Sequence, residues 1–495
     1  MMVINRCINP SSKLGITRWL EDTCYKDMDS YSDVVRDVNY FYRSMDCLLK
    51  IKDEVEYATF DKLRTLFSVS VKLTFYDITS TYVYGDECPI TDYGYSRDHR
   101  SDCEQIVIGI VTSYEGYPVK HYVFQGNTND STTVKEVIGD LKSQYNIQET
   151  IFVGDRGMIT KLNLQDIENN GFSYIMGVKS RQDQICKMVF DKEQINWADA
   201  QNYNENLKMV EKHATVKEFL VWKSNQILQE NKVSVSHETF TNLAEKIRSL
   251  TNGYQPAYKD FKTVLQNLSD GIDTKICKKI FGVIKNYKER YEKEFRFVFC
   301  LNPEIKQLSQ QRRTDHIKEI SDQLDSLLPG KNDKEQKKKK GTEKTIKKRF
   351  DGVFVILSNK KYEDLDTRKI VESYKNLKEV EMIHDDLKNF VDVRPIRHWL
   401  EDRVRAHVFI CVLALLLKRT FEINYLKSKA TTKPLEEISK VKLVTYKIKF
   451  SKKEDRQKTL SKVTNLTSMQ KKYFNMIGIK NPMNLKKFLW WKTKK

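Results

Sequence analysis

No Cys-x2-Cys pair and no Cys/His cluster occurs among the nine cysteines of this 495-residue chain. A structural zinc site is therefore not expected. Dispersed thiols in odd number fit a reducing compartment, so a cytoplasmic location is expected. The N-terminus carries no apolar signal segment. The longest apolar run, Val408 to Leu417, has ten residues, too few to span a bilayer. It reads as a buried helix, and no membrane partner is expected. There is no internal repeat.

Positive charge is what the chain has in excess. Lys and Arg number 86 against 67 Asp and Glu, a formal net charge of +19. Such a surplus favours a polyanionic partner, because each cation that meets a phosphate releases a counterion. It also fits an organism with a Lys-rich proteome, so charge alone does not decide the partner. The length suggests about three domains and a sizeable core.

Residues 1–70 read as a helical N-terminal region, with apolar residues at helical spacing over Ser30–Leu49 and Val55–Phe67. From 71 the pattern becomes that of strands. Val71–Thr81 is one. Gln105–Ser113 and Tyr117–Phe124, parted by Tyr114-Glu115-Gly116, form a hairpin. Thr133 and Glu136 suggest a capping box for a helix to about Tyr145. A strand Ile151–Val153, a helix Lys161–Asn169 and a strand Phe172–Val178 follow. This is the opening order of a ribonuclease H-like α/β core, assigned to 71–182.

Residues 183–346 read as an inserted domain. Its expected elements are helices over Lys259–Asn267, Lys275–Lys293 and Gln311–Leu328 and a strand over Phe295–Leu301. It ends in a basic linker from Gly330 to Arg349 that includes Lys337-Lys338-Lys339-Lys340. The core resumes over 347–427, with a strand in Asp351–Asn359, a helix over Thr367–Asn389 and a helix over Leu400–Leu417. Residues 428–495 are a basic C-terminal region, patterned only as a short helical stretch within Leu466–Phe488.

Three acids stand out by their surroundings. Asp77 follows Leu73-Thr74-Phe75-Tyr76 in the first strand. Asp155 lies in Gly154-Asp155-Arg156-Gly157, just past the fourth strand. Glu381 lies in Tyr-x2-Leu-x3-Glu-x6-Lys, running from Tyr374 through Leu377 to Lys388. Taken singly, each has an ordinary explanation: a strand-end solvent contact, a tight-turn aspartate, a helix residue facing water. Taken together, two acids on strands and a third on a later helix can converge on one pair of divalent cations. Open α/β sheets place their sites at such strand ends. Between Asp77 and Asp155 lie 77 residues, and between Asp155 and Glu381 lie 225. A bare loop of the second length is implausible in a compact domain, hence the insertion.

These patterns resemble the DDE transposases of bacterial insertion sequences, in the branch with a Tyr-Arg-Glu-Lys signature and an insertion domain before the catalytic Glu. The likeness runs through Phe75-Tyr76-Asp77-Ile78-Thr79, Gly94-Tyr95-Ser96-Arg97-Asp98-His99-Arg100, Gly126-Asn127-Thr128 and Gly154-Asp155-Arg156-Gly157. It continues through Asp351-Gly352 and the Glu381 helix to Arg394-Pro395-Ile396-Arg397-His398-Trp399 and Arg403-Val404-Arg405-Ala406-His407-Val408. The resemblance implies that Asp77, Asp155 and Glu381 are catalytic and hold two Mg²⁺ (or Mn²⁺) ions. It implies cleavage at the element's ends and transfer of the freed 3′-hydroxyl into target DNA. The partners would be double-stranded DNA, as terminal inverted repeats and target, and a second copy in a homodimeric synaptic complex. The setting would be the nucleoid of a bacterial cytoplasm.

Tyr374 and Lys388 match family positions that contact phosphates near the cut. Offsets of seven put both near the face of Glu381 if one helix carries all three. Core packing would give the same spacing. Arg97, Arg156, Arg394, Arg397 and Arg403 are candidate strand contacts, with surface or ion-pair roles as the alternative. His407 reads as a packed core histidine. One departure is clear: Leu377 stands where the signature has Arg, which removes a bidentate phosphate contact. The rival readings are a ribonuclease H-like nuclease without strand transfer and a catalytically inert DNA-binding protein of transposase descent.

Overall fold

The computed structural model describes residues 1–23, 37–69, 72–233, 273–287, 293–327, 350–426, 432–449 and 457–479, except at 86, 146, 148, 149, 181, 193, 194, 199 and 477, together with 262, 263 and 266. The basic segment 330–349 and nearly all of the helix expected over Lys259–Asn267 lie outside the described residues. The chain forms two compact units. Met1–Thr150 and Asn376–Lys495 make the first, and Ile151–Lys375 makes the second.

The first unit begins with helices α1 (Met2–Ile8), α2 (Lys13–Glu21), α3 (Val38–Lys50) and α4 (Lys52–Phe67). Strands β1 (Leu73–Tyr82), β2 (Gln105–Ser113) and β3 (Pro118–Phe124) follow in the antiparallel order β3-β2-β1, with Asp77 opposite Ile110. Every residue of β2 is buried, which is why it reads as a nearly continuous apolar run. Helix α5 (Asp130–Ser143) comes next. It starts one turn before the expected capping box. Thr133 is buried inside the helix, and its hydroxyl bonds back to the Asp130 carbonyl at 2.9 Å instead of capping.

The second unit holds β4 (Ile151–Gly154), α6 (Lys161–Asn169), β5 (Ser173–Val178), α7 (Gln184–Lys192), β6 (Gln201–Asn204), β7 (Leu207–Thr215) and α8 (Val216–Glu230). It continues with α9 (Thr274–Tyr287), β8 (Glu294–Leu301), α10 (Pro303–Leu327), β9 (Val353–Ser358) and α11 (Thr367–Lys375). Its strands form a large mixed sheet in the order β4-β5-β9-β8-β7-β6, parallel only between β4 and β5. Strands β7 and β8, which fall within 183–346, belong to this sheet, β8 pairing directly with β9 and β7 with β8.

The chain returns to the first unit with α12 (Leu377–Asn389), α13 (Glu401–Phe421) and α14 (Thr432–Ser439). Then come the hairpin β10 (Leu443–Lys449) and β11 (Gln457–Val463), and α15 (Ser468–Met476). Helix α12 packs on β1, and α13 packs on β3, α1 and α3. Ile106, Ile108 and Ile110 on one face of β2 share a core with Ile383 and Leu387 of α12 and with Val404, Val408 and Leu415 of α13. The apolar run 408–417 is thus a core helix. Among the described residues, no helix is long and apolar enough to cross a membrane.

The single helix expected over Thr367–Asn389 is interrupted at Asn376. The Glu379 amide bonds to the Asn376 carbonyl at 2.9 Å, a tighter three-residue step. Asn side chains compete for backbone groups, so a helix is easily broken there. Tyr374 and Glu381 therefore sit on different helices, and the common face predicted for them does not run through.

Candidate active site

Asp77 lies within β1, half-buried. Its Oδ1 accepts from the Ile78 amide at 2.8 Å. Its Oδ2 lies 3.8 Å from Nε2 of His384. That imidazole is buried on α12, and among the described residues neither ring nitrogen has a hydrogen-bond partner. Burial, with Lys388 and Arg97 adding to it, pushes its pKa down to about 3, so the ring is neutral and keeps a nitrogen lone pair. His384 was not singled out from the sequence. Its place three residues after Glu381 on the same helix is the signal that could have found it.

Glu381 is exposed, while Val380, Ile383, His384 and Leu387 turn inward. The helix therefore presents the carboxylate outward on a firmly packed base. Leu377, at the start of the same helix, is 9% exposed. It packs into the core, where the signature's Arg would face DNA.

In the second unit, Asp155 directly follows β4 and is exposed, as is Arg156. The Met158 amide closes a turn on the Asp155 carbonyl at 3.1 Å. The Tyr374 hydroxyl lies 3.5 Å from Asp155 Oδ1, at the outer limit of a hydrogen bond. The Tyr374 ring stacks on Phe354 at 6.1 Å and lies against Gly177, where any Cβ would collide with its hydroxyl. Tyr374 is thus part packing residue and part neighbour of the acid.

The other candidate contacts of the first unit are mostly engaged. Arg97 reaches both carboxylate oxygens of Asp130 at 3.0 and 3.1 Å. Lys388 and Arg394 both donate to Asp98. Arg403 lies 3.5 Å from Asp46 and over the Tyr42 ring. Arg397 covers Tyr84. His407 is buried, as expected. It takes a 2.8 Å bond from Lys13 at Nδ1 and bonds the Val393 carbonyl at 3.0 Å through Nε2. Asp351 of the Asp-Gly motif is buried against Arg313, which gives that motif a structural part.

Asp77, Asp155 and Glu381 offer only carboxylate oxygens, a donor set that suits Mg²⁺ or Mn²⁺. Among the described residues, no three His, Cys, Asp or Glu side chains stand together at metal-holding spacing. The donor chemistry fits the ions that such acids bind.

A family model described as "Transposase DDE domain" matches residues 74–417, well over half of the chain and a span that contains all three acids. The chain belongs to the transposase DDE domain family. That domain implies a phosphoryl-transfer enzyme, and DDE transposases generally use divalent metal ions. No curated protein matches at a significant level. Among solved structures, the cryo-EM structure of a piggyBac transposase synaptic complex with hairpin DNA aligns at 10% identity. The alignment covers 58% of this chain and 71% of that one, with a TM-score of 0.27. At that score the likeness carries no argument about this DDE-domain protein.

Proposed function

We propose that this DDE-domain protein is the DNA transposase of an insertion sequence. It cleaves at the ends of its element and joins the freed 3′-hydroxyl to target DNA. The observation that carries this reading is the family match over 74–417, which takes in Asp77, Asp155 and Glu381 in the order the chemistry needs. The ribonuclease H-like core, with 183–346 as its insertion, belongs to the same proposal. So do the two copies that would hold the two ends together.

In this reading Asp77, Asp155 and Glu381 are the residues that hold two Mg²⁺ ions. Bound there, the ions supply activation of the attacking hydroxyl and charge stabilisation at the leaving oxygen. The chain's own residues do the rest. The β1 backbone and the packed base of α12 fix where two of the acids emerge. The Ile78 amide holds one oxygen of Asp77. Lys and Arg side chains hold the phosphate backbone, which sets binding strength and its salt dependence.

The test is a strand-transfer assay with DNA that carries the sequences flanking the gene, in Mg²⁺ or Mn²⁺. Joined product that requires the metal supports the proposal. Nicking without joining would leave a nuclease, and binding without nicking an inert descendant.

A further inference from the structure

The block Gly94–Arg100 has no part in the cleavage chemistry proposed above, yet it is tied into the first unit at several points. A Cβ at Gly94 would strike the Gly126 carbonyl, so the two motif loops pack backbone to backbone. Gln105 secures the contact by donating to Gly126 O at 2.8 Å. The Arg97 amide donates to Ser80 Oγ of β1 at 2.9 Å. The Arg97 guanidinium meets Asp130.

These ties fix Asp98, whose side chain is 2% exposed. Its Oδ1 accepts from Lys388 Nζ at 2.7 Å and from Arg394 Nη1. Its Oδ2 is buried without a hydrogen-bond partner among the described residues. A carboxylate so placed is costly unless cations offset it. Exposure rises outward from it: the Lys388 side chain is 11% exposed and Arg394 25%. Arg394 is further braced by Asn389 Oδ1 at 3.0 Å. An ammonium has three N–H donors and a guanidinium five, so both groups keep donors beyond those spent inward. Lys388 lies seven residues, about two helical turns, after Glu381 on α12.

We propose that Asp98 is a positioning residue that holds Lys388 and Arg394 together as one seat for a DNA phosphate. The inference rests on the transposase reading above. The carboxylate lies beneath the cations, so a phosphate approaching from outside binds without displacing it. Asp98 also offsets the repulsion between the two cations. Burial, then Arg394 and Arg97, favour loss of the Lys388 proton, and Asp98 opposes this.

Sign makes the idea testable. Removing a negative charge from a DNA-binding surface would, by field alone, tighten binding and steepen its salt dependence. Loss of the seat does the reverse. Anisotropy titrations with a labelled blunt duplex of arbitrary sequence, at several salt concentrations, read both for the wild type and for Asp98→Asn, Lys388→Gln, Arg394→Gln and their combinations. Thermal melts check that each variant is folded. The expected result for Asp98→Asn is weaker binding, by about tenfold, and a salt slope shallower by about 0.9 for each phosphate no longer neutralised. In the Lys388→Gln/Arg394→Gln background, Asp98→Asn should change neither. A general structural defect would instead add to those changes. Tighter binding by Asp98→Asn, or an equal loss in that background, overturns the inference alone. If Asp98→Asn does not fold, the cation variants decide: slopes unchanged in both Lys388→Gln and Arg394→Gln also overturn it. A wild type that does not bind the duplex at any salt concentration overturns the transposase reading and this inference together.

Discussion

The surroundings of Glu381 and those of Asp155 are built differently. Around α12, cations meet acids: Lys388 and Arg394 on Asp98, Arg97 on Asp130, and Lys418 on Asp386 and Glu422. Around Asp155, the acid and its neighbour Arg156 are exposed, and no ion pair to Arg156 is found among the described residues. The polar group beside Asp155 is a tyrosine hydroxyl at 3.5 Å. The first region spends charge on internal order and fixes its side chains before any ligand arrives. The second keeps its charged groups in water. A residue's charge in the sequence does not tell which case applies.

The comparison is sharpened most by removing the acids themselves. Asp77→Asn, Asp155→Asn and Glu381→Gln should each abolish strand cleavage while duplex binding persists, because binding depends on Lys and Arg. Isothermal titration with Mn²⁺ should show lost or weakened binding in each variant. An acid whose replacement leaves cleavage at a comparable rate is not a metal ligand. A smaller effect is expected at Leu377. Leu377→Arg should lower stability by about 2 kcal/mol, because a charge placed at a packed site is desolvated. The salt slope of DNA binding should stay unchanged. A steeper slope with an unchanged melting temperature would place the new Arg on DNA and remove Leu377 from the ordered region.

The ordered region also has a pH signature. Lys13, buried against His407 with Arg6 and Cys411 nearby, has its pKa pushed down to about 7 by burial. The His407 imidazole is held well below its usual value by burial, with Lys13 and Arg6 adding to this. Above about pH 7 the folded Lys13 sheds a proton that the unfolded chain keeps up to its ordinary pKa. The unfolded state then binds more protons, so stability should rise with pH from about 7 towards 10, by up to about 1.4 kcal/mol per pH unit. Melting curves of the wild type and Lys13→Met over that range should diverge in slope, and parallel curves would exclude Lys13 as the cause. The smallest effect is expected in the solvated region. Tyr374→Phe removes a hydroxyl at the limit of bonding distance and should slow cleavage by no more than about tenfold. A larger loss would mean that Asp155 is held as firmly as the residues around α12.

Much of this was legible in the sequence. Strand β1 and the β2–β3 hairpin fall close to where the apolar runs and the Tyr114-Glu115-Gly116 turn put them, because runs this apolar, parted by a short turn, have few alternatives. The ten-residue run at 408–417 was readable as a core helix from its length alone. Strands β6, β7, β10 and β11 were missed. Residues such as Lys212 and His213, or Lys447 and Lys449, interrupt the apolar pattern, and partner strands decide the conformation there. The break at Asn376 was missed because one residue scarcely alters helical periodicity. The part played by Asp98 could not be read at all. Its partners lie 290 and 296 residues further along the chain, and nothing local marks a carboxylate that will be buried between them.

Helix α13 has a consequence for how the protein is made. The sheet β3-β2-β1 and helices α1 and α3 are covered by a helix that emerges from the ribosome only after the whole of 151–375 has been made. At ordinary rates of synthesis that delay is roughly 10–45 s. Through it the isoleucines of β2 have no lasting cover, and such waiting strands are prone to pair with neighbours on the same message. The amount of active protein in a cell would then depend on how quickly ribosomes cross the middle of the message as well as on how many begin it.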